Sequence, residues 1–337
     1  MNESADSPER RSLCTTYDVA VLDLDGVVYI GADAVPGAVE GLRGARDAGM
    51  HLAFVTNNAS RPPSDVADHL RALGIEASPA DVVTSAQAAA RLIAEEVPAG
   101  SAVYVIGGPG LEEALRERGL RPVTDLDEEP AAVVQGYGPD MPWRRVISGA
   151  ILVREGLPWV ASNTDMTVPT ERGPGPGNGA LVGLVSTYAE REPRVAGKPQ
   201  PPLFQETLER VGGERPLVVG DRIDTDIEGA INMGWDSLLV MTGVTTLSDL
   251  AGLEPALRPT YVAADLGCLA HVVPAVSDLA GAYQGWTANV VDGSLVVSGD
   301  GDLHAWWRSV ASALWGFLDA TGQAAVTAGV EPGSVAP

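Results

Sequence analysis

The chain of 337 residues predicts an α/β fold built on an open parallel sheet, with a second α/β block set into it. Three observations lead there. From residue 19 onward, short apolar runs of strand length alternate with amphipathic stretches of helical period. Two of these runs, Val19–Leu22 and Pro216–Val219, stop abruptly at aspartates. A further strand and helix alternation, from Ala102 to Ser162, is long enough to stand as a domain of its own.

Val19, Ala20, Val21 and Leu22 make the kind of run a strand buried on both faces needs, and it ends in Asp23-Leu24-Asp25-Gly26. Ligands of open parallel sheets collect beyond the carboxyl ends of the strands, so both acids are expected in a crevice. Two like charges there are costly unless a cation or a hydrogen-bond network receives them. A hard divalent ion bound through oxygen is the simplest answer, and a solvated turn is the alternative for a bare D-x-D-G. Gly26 lets the backbone turn away before Val27-Val28-Tyr29. Gly37–Ala48 then reads as a helix, and His51–Val55 as a second buried strand ending in Thr56-Asn57-Asn58. The right-handed crossover of such a unit sets the ends of its two strands side by side, Asp23 near Thr56. A hydroxyl and two amides suit phosphate oxygens, and taken alone an Asn-rich turn explains them equally well.

Amphipathic helices are expected over Ser64–Leu73 and Ser85–Val97. The next alternation runs through a strand at Ala102–Ile106, a helix at Leu111–Gly119, a strand at Ala131–Gln135, a helix at Trp143–Arg154 and a strand at Pro158–Ser162. Its Gly-rich turn offers Gly108, Gly110 and Glu113 as G-x-G-x-x-E, without the closing glycine of a dinucleotide-binding turn. Pro169–Gly179 reads as a connector, with Asn178 suited to cap a helix over Ala180–Arg191. Lys198 follows, then a helix at Pro202–Val211 and the strand Pro216–Val219. That strand ends in Gly220-Asp221, with Asp224 and Asp226 close behind, repeating the device of Asp23 and Asp25.

Strands at Asp236–Thr242 and Thr260–Ala263 complete this sheet. Beyond them, Trp286–Val291 and Ser294–Ser298 across Asp292-Gly293 form a β-hairpin by the Asp-Gly rule. A helix over Leu303–Leu318 carries Leu303, Trp307, Val310, Leu314 and Phe317 on one stripe, a packing face for the core or for a second copy of the chain in a homodimer.

A formal charge of -23 argues against nucleic acid as a partner, and an anionic substrate must be drawn by local charge. No apolar run approaches the ~20 residues of a membrane helix, so no membrane partner is expected. The first residues, MNESADSPERRS, lack the apolar stretch of a secretory signal, so residues 1–16 are expected to be a disordered leader of a cytoplasmic protein. Two cysteines, Cys14 and Cys268, exclude a disulfide framework and a Cys-rich zinc site. Lys198 is the single lysine beside 21 arginines. Arginine replaces lysine on a surface, but not where a compact ammonium must fill a tight site; chance is the competing account.

In the order Asp23-x-Asp25, Thr56, Lys198 and Gly220-Asp221-x4-Asp226, the chain resembles the haloacid dehalogenase superfamily over roughly Tyr17–Val273. The stretch DLDGVVYIG is similar to its class IIA branch, the NagD- and 4-nitrophenylphosphatase-like enzymes. The resemblance implies a Rossmann-like doubly wound parallel sheet core (17–80 and 180–275), an inserted α/β cap domain of the C2 type (81–179) and a small C-terminal β-hairpin plus helix extension (276–337). It implies a magnesium-dependent phosphatase in which Asp23 is the nucleophile and Asp25 the acid and base. Magnesium would be held by the Asp23 carboxylate, the Asp25 backbone carbonyl and Asp221. Thr56, Asn57, Asn58 and Lys198 would bind the phosphate, with Asp226 behind them positioning the lysine or a water on the metal. The substrate is expected to be a small phosphate ester. DVVTSAQAAARL, TNNASR, GKPQP, GDRIDTDIEGA and the C-terminal segment look most like glycerol-3-phosphate phosphatases, with phosphoglycolate, sugar phosphates, nucleotides and pyridoxal phosphate as alternatives. A phospho-Asp receiver module uses similar groups for binding alone, but its acidic residues come first within one small domain. Here Asp221 comes late, after an inserted block.

Overall fold

Val19–Leu22 is buried along its whole length and lies parallel to Pro216–Gly220, with Val19 opposite Pro216 and Leu22 opposite Val219. Asp236–Val240 and Tyr261–Ala263 follow on the far side of Pro216–Gly220, also parallel. Val19–Leu22 and Pro216–Gly220 carry no polar side chain because a parallel sheet is covered on both faces, and acids follow where their carboxyl ends emerge. These strands belong to the first of two compact units in the computed structural model, which describes residues 11–170 and 172–335. This unit runs to Leu52 and resumes at Gly213, and the second is Ala53–Gly212.

The strand expected to reach Thr242 ends at Val240, because Thr242 turns its hydroxyl to donate to the Gly26 carbonyl. Residues 1–10 of the expected leader lie outside the described residues. The leader does not extend to 16: Leu13–Thr16 is a helical turn that buries Leu13 and Cys14.

The C-terminal segment is part of the core of this unit. The hairpin pairs Trp286–Val291 with Ser294–Gly299 across Asp292 and Gly293, both at positive φ, and Ala282–Tyr283 adds a third strand. Asp302 caps the helix Leu303–Thr321, accepting from the Ala305 N–H at 2.8 Å, and Gly322 ends it at φ 70°. Trp307, Val310 and Leu314 are buried as expected and Phe317 packs beside them, whereas Leu303 is exposed. Trp306, outside the expected stripe, is fully buried in a cluster with Ile227, Leu239, Leu250 and Val262 from the sheet region. The helix therefore packs against its own core.

In the second unit, Phe54–Thr56 lies parallel to Val82–Thr84. A separate five-stranded parallel sheet has the order Arg194–Val195, Trp159–Ala161, Ala132–Gln135, Ala102–Ile106 and Arg121–Val123. Its strands and the helices Trp143–Arg154 and Asn178–Ala189 share one core, with Val182, Val185 and Ala189 beside Val146 and Ala150. The inserted sheet thus extends past the expected boundary at 179, to Val195. The stretch expected as a connector overlaps an antiparallel hairpin, Thr167–Thr170 with Gly173–Pro176, and contains the whole of its second strand. Asn178 is not the cap of the following helix. Gly177 holds that place, and the Asn178 amide donates to the Asn163 carbonyl at 2.7 Å.

Candidate active site

The first unit gathers carboxylates at the ends of two neighbouring strands. Asp23 follows Leu22, its N–H donating to the Val219 carbonyl, and Asp221 follows Gly220. A single π-helical turn, Ile223–Ile227, then brings Asp226 back, so that one oxygen from each of Asp23, Asp221 and Asp226 lies within 4.8 Å of the others. Asp221 and Asp226 are fully buried and Asp23 is half-buried. The sequence had placed Asp226 behind the metal ligands. The helical turn makes it a member of the carboxylate group, and Asp25, exposed, contributes no side-chain oxygen to it.

Asp221 is held by the loop after Asp236–Val240. The Val244 N–H donates to its Oδ2 at 2.7 Å, while the Thr245 N–H and hydroxyl donate to its carbonyl. The Arg222 N–H donates to Asp226 Oδ2, and the Arg222 side chain pairs with Asp224 on the surface, keeping that acid out of the group. Gly26, Gly220 and Gly243 line the cradle, since a Cβ at any of them would meet the Asp221 or Asp226 carboxylate. A pocket of hard, anionic oxygens from which side-chain bulk is excluded fits a small divalent cation such as magnesium. Thr242, Val244 and Thr245 carry no signal in the sequence, because two of the three act through backbone groups.

In the second unit, the loop after the strand His51–Thr56 meets the one before the helix Pro201–Val211. Thr56 is buried and its hydroxyl oxygen accepts from the Asn58 N–H at 3.0 Å, which leaves the hydroxyl proton to donate elsewhere. Asn58 is exposed, and its Oδ1 accepts from the N–H and hydroxyl of Ser60. Lys198 is buried to 4% exposure. Its N–H donates to Asn57 Oδ1 at 2.8 Å, and Asn57 Nδ2 donates both to the Lys198 carbonyl and to Asp165 Oδ1, each at 3.1 Å. Asn57 was expected to offer its amide to phosphate, yet both amide protons are committed to the protein. Asn163, whose Nδ2 donates to the Asn57 carbonyl, and Asp165 were missed as members of this network. Their run Ser162-Asn163-Thr164-Asp165 resembles a loop in sequence, and only the fold brings it to Asn57.

Comparison with known proteins adds to this geometry. The haloacid dehalogenase-like hydrolase family matches residues 20–121, and a HAD-hydrolase-like family matches residues 195–269. The chain is 42% identical over 314 residues to a D-glycerol 3-phosphate phosphatase of Mycobacterium tuberculosis, covering 90% of this chain and 88% of that one. A crystal structure of glycerol phosphate phosphatase from M. tuberculosis in complex with magnesium superposes with a TM-score of 0.81 at 42% identity, covering 91% of this chain and 92% of that one. The complex with calcium also gives 0.81, at 41% identity, over 96% and 94% of the two chains. The 4-nitrophenylphosphatase of Thermotoga maritima gives 0.70 at 31% identity, over 77% of this chain and 98% of its own.

Proposed function

Because this chain belongs to the haloacid dehalogenase-like hydrolases and is a phosphatase of their 4-nitrophenylphosphatase-type branch, we propose that it hydrolyses glycerol 3-phosphate, with magnesium and through an aspartyl-phosphate. The observation that carries the metal and the chemistry is the meeting of Asp23, Asp221 and Asp226 within 4.8 Å in a glycine-lined cradle. The choice of ester is supported by the similarity to the mycobacterial D-glycerol 3-phosphate phosphatase.

Magnesium, held by Asp23, Asp221 and the Asp25 carbonyl with Asp226 adjoining, would screen the repulsion between an anionic nucleophile and an anionic phosphate. An Asp23 oxygen attacks phosphorus and the ester P–O bond breaks, while the departing alkoxide takes the Asp25 proton. Asp25, now a carboxylate, takes a proton from a water that attacks the same phosphorus. The Asp23–phosphorus bond then breaks and phosphate leaves. Thr56 donates its hydroxyl proton and Lys198 its charge to the nonbridging oxygens, with the exposed Asn58 at the edge of the same loop.

A turnover screen tests this reading with glycerol 3-phosphate, phosphoglycolate, sugar phosphates, nucleotides and pyridoxal phosphate, with and without magnesium. Glycerol 3-phosphate should give the highest kcat/KM, chelation should abolish turnover, and Asp23→Asn should be inactive and folded. Turnover that survives chelation or Asp23→Asn would sink the mechanism, and a clear preference for another ester would sink the substrate. Phosphate captured once per chain without turnover would instead favour the receiver-type reading.

A further inference from the structure

Asn57 sits beside the lysine and is buried to 8% exposure. Its side-chain amide behaves as a peptide group would in a ladder, accepting from the Lys198 N–H at 2.8 Å and donating to the Lys198 carbonyl at 3.1 Å. The second Nδ2 proton goes to Asp165 Oδ1 at 3.1 Å. This arrangement orients the amide by itself. A flipped amide would set N–H against N–H at Lys198 and oxygen against the Asp165 carboxylate.

The backbone of Asn57 is held as firmly as its side chain, since its carbonyl accepts from Ser85 Oγ and Asn163 Nδ2, both at 2.6 Å. Asn163 is anchored in turn by Asn178, which donates to its carbonyl. Gly197 completes the fit. A Cβ there would stand 2.5 Å from both Asn57 Oδ1 and the Ser162 carbonyl, so a side chain at 197 would push the clasp open. Both side-chain atoms of Asn57 and its carbonyl are thus satisfied, and a buried polar group so held is rigid.

We propose that Asn57 is a positioning residue for Lys198: its amide clasps the lysine backbone, Asp165 sets the amide's orientation, and the Asn57 side chain acts on the phosphate only through the lysine. The inference rests on the reading of Lys198 as the phosphate-neutralising charge. It predicts that the contribution of Asn57 vanishes when the lysine side chain is gone.

The test is a double-mutant cycle on 4-nitrophenyl phosphate, a reactive ester that keeps slow variants measurable. In the wild-type background, Asn57→Ala should lower kcat by about 100-fold, the scale of a misplaced catalytic group. In the Lys198→Ala background the same change should cost less than about 3-fold. Equal losses in both backgrounds would mean that Asn57 touches the substrate itself and would overturn the proposal. Asn57→Asp covers a failure of the alanine variant to fold, because it keeps the volume and the acceptor for the Lys198 N–H while turning the other oxygen on a carbonyl and a carboxylate. It should show the same dependence on background.

A second readout needs no turnover. As Lys198 is the only lysine, an amine-selective reagent labels it and the α-amino group, peptide mapping separates the two, and the Lys198 labelling profile against pH should shift in Asn57→Ala, which adds no charge. A superimposable profile overturns the proposal even if the enzyme is a phosphatase. A shifted profile in a protein without turnover would leave the clasp standing and remove the functional reading instead.

Discussion

A methyl group placed on Gly26 would stand 2.6 Å from Asp221 Oδ2. Gly26 also lies at φ 83°, in the left-handed region where L side chains are strained. The turn after the first strand thus touches the acid at the end of its neighbour, and the glycine of the D-x-D-G motif is required twice, for its φ and for its missing Cβ.

Gly26→Ala is therefore expected to combine about 1 to 2 kcal/mol of backbone strain with a displaced carboxylate. Activity should fall by about 100-fold, and the magnesium concentration for half-maximal activity should rise. Titrating magnesium against turnover and measuring urea unfolding in parallel separates the two effects. A variant with normal magnesium dependence would show that Asp221 tolerates the methyl and that the cradle is looser than its geometry.

For Lys198 the expectation concerns shape as well as charge. Lys198→Arg keeps the charge, but a planar guanidinium is wider and cannot place it where an ammonium sits in a buried site. The loss should be about 2 to 4 kcal/mol of transition-state stabilisation, the scale of removing one preorganised donor. Steady-state kinetics reads it. Activity close to wild type would make the lysine a bystander.

The first and last motif strands were legible because they are short, apolar and end in charge, and each lies within a residue or two of its expected bounds. The hairpin at Asp292-Gly293 was equally legible, since its turn needs positive φ at both residues. What misled was composition read without partners. The Gly/Pro-rich run around Pro174 suggested a connector, but two short strands there pair with each other. The domain boundary moved because Arg194–Val195 is too short to announce itself and is defined only by pairing with Trp159–Ala161. In the site, acids at strand ends were visible, whereas the promotion of Asp226 depends on a π-helical turn, and the clasp on Lys198 depends on residues 141 positions apart.

Glu206 is the hub of an ion network in the second unit. It has no exposure, and Arg118 reaches both of its oxygens, at 2.6 and 2.7 Å, while Arg210 Nε lies at 2.5 Å and Arg91 Nε at 3.4 Å. These arginines come from three helical segments, so the carboxylate ties them together. Removing the buried anion takes the ion pair from Arg118, while Arg91 keeps Glu209 at 2.8 Å and Arg210 keeps Glu117 at 3.4 Å, and Glu206→Ala should cost about 3 kcal/mol. Equilibrium unfolding in urea measures this. A loss below about 1 kcal/mol would place the network with the surface pairs that contribute little.

His304, near the start of the C-terminal helix, sets a pH dependence. Its Nδ1 accepts from the Ala264 N–H at 3.2 Å, which requires that nitrogen to be unprotonated. Burial lowers its pKa from the usual value of 6.5; Asp265 and Asp302 oppose this, while Arg308 and His271 reinforce it. A histidine with a lowered folded pKa binds protons more readily when unfolded, so its contribution is present in full above the unfolded value near 6.5. That contribution is lost as pH falls from there toward the lowered folded pKa. Wild-type protein should therefore lose thermal stability on going from pH 7 to pH 5 more steeply than His304→Asn, whose side-chain oxygen can accept from the Ala264 N–H and does not titrate. The comparison removes the His304 titration together with its coupling to Asp265, while acids farther away contribute equally to both proteins. Parallel melting curves across that range would show that the imidazole is protonated at no cost, and that the Ala264 N–H does not need its acceptor.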